Sequence, residues 1–80
     1  MFRRRLGPDP HSRGGLTAAG LGCPDIWELD SGDIAIIGLD KTAALERLLP
    51  GTASCGPDER IVVLPRASLL RAKSDIWRLR

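Results

Sequence analysis

The sequence has a single histidine, His11, and only two cysteines, Cys23 and Cys55. That scarcity removes several chemistries at once. A nucleophile needs a base beside it, and the one histidine stands in Gly7-Pro8-Asp9-Pro10-His11-Ser12, which has no periodic apolar pattern. A structural zinc site wants four ligands, usually in closely spaced pairs, and neither a CxxC nor an HxxxH pair is present. Phosphate-cradling glycine loops are missing too. Gly14-Gly15 has no strand before it and no GK[ST] after it, while Gly32 and Gly38 read as a turn and a strand end. Asp30 and Asp33 share one solvated turn, so nothing sets their acidities apart for acid–base work. No apolar run reaches the roughly 18 residues of a membrane span. No apolar core follows the basic Met1–Arg5 stretch, as a secretory signal would require. These absences lead to the expectation of a cytoplasmic protein that is not an enzyme, carries no cofactor or metal and does not contact a membrane.

What is present is unevenly distributed. Residues 1–20 carry Arg3, Arg4, Arg5 and Arg13 against Asp9, whereas residues 21–80 carry eight basic and nine acidic groups. Gly and Pro are frequent in the first twenty residues, and neither alternation nor a helical period is visible. Residues 1–20 are therefore expected to be a disordered basic arm, and residues 21–80 a small α/β domain. A domain of about sixty residues buries only about 60% of its unfolded surface, so a staple or a partner is expected to help it.

Ile26–Leu29 reads as a strand, Asp30-Ser31-Gly32-Asp33 as a hairpin turn, and Ile34–Ile37 as the return strand, apolar throughout as if covered on both faces. Asp40 or Thr42 offers a helix N-cap. Ala44, Leu45, Leu48 and Leu49 form an apolar stripe that Pro50-Gly51 ends. Residues 51–59 read as a loop, Arg60–Leu64 as a third strand, and Pro65 as the opening of a second helix carrying Ala67, Leu69, Leu70 and Ala72. The tail Asp75–Arg80 is ambiguous between helix and strand, its alternation favouring a strand. The expectation is an α+β fold, β-β-α-β-α. It has two short helices on a small mixed sheet of three strands, or four if the tail is extended. A right-handed crossover places the third strand parallel to the second, beside the first.

Asp25-Ile26-Trp27-Glu28-Leu29 and Asp75-Ile76-Trp77-Arg78-Leu79 share D-I-W-x-L. Two such strands would pair Glu28 with Arg78 across a sheet or a dimer. Trp27 and Trp77 are each read as a core anchor or, since Trp is enriched at hot spots, an interface residue. The interface candidates are thus Trp27, Trp77, Glu28 and Arg78. Arg3, Arg4, Arg5, Arg66 and Arg71, with the other basic residues of the last fifteen positions, offer a strip for nucleic-acid phosphates or simply a solvated face. Cys23 and Cys55 are read as two thiols. A disulfide closing a loop of about 30 residues, with ~3 kcal/mol of stabilisation, is the alternative and would suit a redox sensor.

The segments Gly22-Cys23-Pro24-Asp25-Ile26-Trp27-Glu28-Leu29-Asp30-Ser31-Gly32-Asp33 and Ser54-Cys55-Gly56-Pro57-Asp58-Glu59-Arg60-Ile61-Val62-Val63-Leu64-Pro65-Arg66 resemble a family of small uncharacterised actinobacterial proteins of streptomycete type. Its pattern runs from a CP-x-[IV]-x-E segment with GD-[FI]-A-[VI]-IG to CGPxERIVxxPR and a Leu-rich helix. The resemblance covers about residues 22–76, brings no catalytic residues, and leaves residues 1–20 outside as a dispensable arm. It implies a regulatory accessory protein, associated with helix-turn-helix regulators. The leading expectation is accordingly function through a protein partner, including a homodimer. Nucleic-acid binding and thiol sensing are the alternatives.

Overall fold

The computed structural model describes residues 1–10 and 23–79. Among them the chain forms β1 (Phe2–Arg5), β2 (Asp25–Leu29), β3 (Ile34–Ile37), β4 (Leu39–Asp40), α1 (Thr42–Leu45) with a 3-10 turn over Glu46–Leu48, β5 (Val62–Val63), α2 (Arg66–Arg71) and α3 (Lys73–Trp77). One sheet is antiparallel in the order β1-β2-β3, and a second, two-stranded sheet pairs β4 with β5. The fold is α+β, as the sequence indicates.

The β2–β3 hairpin forms where its turn residues place it. Gly32 takes a φ of +93°, which glycine tolerates without steric cost. Its N–H donates to the Leu29 carbonyl at 2.9 Å, and the Leu29 N–H donates to the Asp33 carbonyl at 2.9 Å. The strands then pair Glu28 with Ile34, Trp27 with Ala35, Ile26 with Ile36 and Asp25 with Ile37.

Three expectations are corrected. The first concerns the arm. Residues 2–5 are a strand, paired antiparallel to β2 with Arg4 opposite Glu28 and Arg5 opposite Trp27. The Leu6 N–H continues the ladder to the Ile26 carbonyl at 2.8 Å, and Leu6 is buried. The arginine cluster looked uncompensated because its carboxylates lie across the sheet, not along the chain. Residues 11–20 of the expected arm, with His11 and Arg13, lie outside the described residues.

The second concerns the third strand. β1 occupies the open edge of β2 that Arg60–Leu64 was expected to take. Only Val62–Val63 is strand, and it runs antiparallel to β4. Gly38 permits this arrangement: a Cβ there would lie 2.8 Å from the Val63 carbonyl oxygen. The chain leaves the first sheet at that glycine, and residues 41–61 close a loop between β4 and β5 instead of a parallel crossover. β3 is left as an edge strand, and Ile34, Ile36 and Ile37 are exposed rather than covered on both faces. The first helix is also shorter than its leucine stripe suggested; Leu45 and Leu49 are half-buried, while Ala44 and Leu48 are exposed.

The third concerns the tail, which enters a helix over Lys73–Trp77 in place of a strand; Arg80 lies outside the described residues. Ala72 is fully buried, Ile76 and Leu79 pack against the core of Leu6, Ile26 and Ala72, and the Asp75 carboxylate accepts the Gly7 N–H at 2.7 Å. Positions 72, 75, 76 and 79 are one helical face. Because one of them is an aspartate, the period is hidden in the sequence.

The loop between β4 and β5 is tied down at Asp40 and Thr42, the two residues read as N-cap candidates. Asp40 Oδ1 accepts the Thr42 hydroxyl at 2.7 Å and the Thr42 N–H at 3.0 Å, and Thr42 Oγ1 accepts the Ile61 N–H at 2.8 Å. The Thr42 hydroxyl, followed by the Thr42 N–H, holds the Asp40 carboxyl below its ordinary acidity range.

Candidate functional site

Both copies of D-I-W-x-L converge on Arg5-Leu6-Gly7, although one copy is strand and the other mainly helix. Asp25 binds Arg5 in a fork: Nε reaches Oδ1 at 3.0 Å and Oδ2 at 3.2 Å, and Nη2 reaches Oδ2 at 3.1 Å. Asp75 takes the Gly7 N–H. Ile26 and Ile76 both reach the core around Leu6. A charge-assisted fork of this kind fixes geometry as well as adding energy. The Asp25 hydrogen bond, ahead of any Coulombic effect, pushes the Arg5 guanidinium above its ordinary basicity.

The two tryptophans end in opposite situations. Trp27 lies on the sheet face away from Ile26, half-buried beneath the N-terminal strand. The Phe2 ring meets it edge-on at 5.5 Å between centroids, and the Arg5 guanidinium carbon sits 4.5 Å from its ring centre. Trp77 points outward from α3 and is 87% exposed. The helical phase that turns Ala72, Ile76 and Leu79 inward turns Leu70, Lys73, Ser74 and Trp77 outward, and these four with Arg78 line one open concavity. Arg78 also borders a second concavity with Arg3, Arg4 and Glu28.

The expected Glu28–Arg78 strand pair is therefore corrected. The two residues share a concavity, but Glu28 is buried and pairs with Arg4 at 3.2 Å, while Arg78 lies 3.9 Å from Asp75. The nucleic-acid candidates divide. Arg3 and Arg4 join Arg78, whereas Arg5 is committed to Asp25. Arg66 opens α2, and Arg71 borders a small cavity near Asp25 and Ser68. Cys23 and Cys55 are half-buried thiols. The Cys55 Sγ contacts the Glu59 carbonyl at 3.4 Å within its own turn. Leu70 reads in the sequence as part of the second helix's apolar stripe and Lys73 as one of the basic residues of the last fifteen positions; the 72-75-76-79 phase is the signal that places both beside Trp77.

A separate apolar surface lies at the other end of the sheet. Ile37, Gly38 and Leu39, with Val63, Leu64 and Pro65 beside them and Pro24, line an open cleft of about 420 Å³. Ile34 and Ile36 are exposed as well, on the opposite face of β3 from Ile37. Among the described residues, no three of His, Cys, Asp and Glu come together as a metal-binding group, and no helix is long and apolar enough to cross a membrane. No family model matches the chain, and neither a curated protein nor a solved structure matches it.

Proposed function

We propose that the protein is a non-catalytic regulatory accessory protein that acts by protein–protein contact, as a homodimer formed through β3. One observation carries this reading: β3 is an edge strand of sequence Ile-Ala-Ile-Ile with three exposed isoleucines. Edge strands are ordinarily blunted by charge, proline or a cover, because they present a row of backbone donors and acceptors to any other strand. β3 contains no charge and no proline.

A second copy satisfies such an edge isologously. Antiparallel pairing about a two-fold axis normal to the sheet, centred on Ala35, sets Ile34 of each copy against Ile36 of the other. All four isoleucines then lie on the sheet face that carries Ile26. The thin core supports the same reading. Among the described residues the buried core holds only Leu6, Ile26 and Ala72 besides Pro10, and apolar side chains left on the surface include Ile34, Ile36, Ile37 and Leu39. Patches of this kind mark interaction surfaces.

Cysteine trapping tests the arrangement. In a Cys23→Ser, Cys55→Ser background, Ala35→Cys is expected to cross-link to itself under mild oxidation. Directly opposed residues of an antiparallel pair sit about 4.5–5.5 Å apart at Cα, within disulfide range. The unmodified chain is expected to show a mass that rises with concentration in sedimentation. A strict monomer that fails to cross-link at position 35 would remove the proposal.

A further inference from the structure

The concavity beside α3 is a different surface with a different chemistry. Trp77 is almost fully exposed, on a helix whose other face is firmly docked by Ala72, Ile76 and Leu79. Its position is thus fixed, and its indole is held out to solvent beside Leu70, which is also exposed. Cations surround this apolar centre. Lys73 and Arg78 line the same concavity, and Arg78 links it to Arg3 and Arg4. Two carboxylates border it: Glu28 is buried against Arg4, and Asp75 accepts the Gly7 N–H and lies 3.9 Å from the exposed Arg78. The surface has the anatomy of a hot spot, a large aromatic anchor within a polar rim, and the exposed charges lining it are cationic: Lys73, Arg78, Arg3 and Arg4.

We infer that this face binds an acidic, amphipathic segment of a partner protein, with an apolar side chain of the partner over Trp77 and Leu70 and its carboxylates on Lys73, Arg78 and Arg3. Charge complementarity selects the partner's sign. A peptide fits better than a nucleic acid. Arg4 and Arg5 are engaged with Glu28 and Asp25, and a phosphate backbone following Arg3, Arg4 and Arg78 would meet the Glu28 carboxylate that lines the same concavity. A peptide can place its own carboxylates clear of it. The inference rests on the reading of this protein as one that acts by contact, but it uses a face remote in kind from β3. A monomer that binds the peptide therefore refutes the dimer alone, and a dimer that ignores the peptide refutes this inference alone.

The test uses the full chain and two fluorescein-labelled helical peptides. Both carry Leu and Phe anchors at helical spacing; one sets them among Glu and Asp, the other among Lys and Arg. Fluorescence anisotropy is expected to show binding of the acidic peptide only, weakening steeply with added salt. Trp77→Ala is expected to weaken it about tenfold or more while leaving the thermal midpoint in place, since Trp77 is a surface residue. Lys73→Glu is expected to shift the preference toward the basic peptide. Equal binding of both peptides, no binding of the acidic one, unchanged affinity in Trp77→Ala, or tighter binding of a labelled single-stranded oligonucleotide would each overturn the inference.

Discussion

Deletion of residues 1–10 is expected to leave the chain without a cooperative unfolding transition. The segment contributes the buried Leu6 of the core, and burial of such a side chain is worth about 1.5–3 kcal/mol. Its loss also strips partners from three carboxylates. Asp25 loses the Arg5 fork, Glu28 loses Arg4, and Asp75 loses the Gly7 N–H. The Arg5–Asp25 fork is a charge-assisted hydrogen bond on a carboxylate only 10% exposed, and the loss of such a bond costs about 1.5–3 kcal/mol. Trp27 is uncovered as well. These losses together reach the whole stability of a small domain, about 5 kcal/mol at the low end of the usual range. Circular dichroism against denaturant reads the result. A truncated chain that unfolds cooperatively at the original midpoint would show that the segment is dispensable.

Gly7→Ala is expected to destabilise the full chain by about 2–5 kcal/mol. Two costs add. Gly7 holds a φ of +88°, where a residue with a Cβ is strained by roughly 1–2 kcal/mol. The new methyl would also meet Ala72 Cα and Cβ at 3.2 Å and its nitrogen at 3.3 Å. Two of those atoms are backbone at the junction of α2 and α3, so they give way only if the helices move, and overpacking of this kind costs about 1–3 kcal/mol. Gly32→Ala is the control. Gly32 has a similar φ, but nothing lies within 4 Å of its added Cβ, so it should show only the backbone cost. Denaturant midpoints at constant slope measure both. Equal losses at the two positions would mean that the Gly7–Ala72 contact is not tight.

Local signals were legible in the sequence where local chemistry decides the outcome. The Asp30–Asp33 turn, the strands flanking it, and the helix opening after Pro65 all lie where turn and cap residues put them. The D-I-W-x-L echo was visible too, but not its meaning. It reads as two like strands, whereas one copy is mainly helical and both serve as docks for Arg5-Leu6-Gly7. What the sequence hid was non-local. The charges of Arg4 and Arg5 are balanced by Glu28 and Asp25, more than a dozen residues away in the chain, so counting charge along the chain made an arm of a strand. Gly38 reads as a strand end, and only the approach of the Val63 carbonyl explains why it must be glycine. The tail's helical face includes Asp75, whose inward position makes sense only once Gly7 is beside it. Of the interface candidates, Trp77 and Arg78 lie on one surface because α3 is a helix, and Trp27 is covered because β1 is a strand.

The functional reading depends on that N-terminal strand. With β1 in place, Trp27 is covered and the edge of β2 is closed, and the two surfaces proposed for partners are β3 and the face around Trp77. Amide hydrogen exchange at Leu6 tests this most directly, because its N–H donates to the Ile26 carbonyl at 2.8 Å in the middle of the core. The account predicts that the Leu6 amide exchanges as slowly as the paired amides of β2, through global unfolding. Exchange at the rate of an unstructured chain, with β2 still protected, would contradict it and return residues 1–10 to the status of an arm.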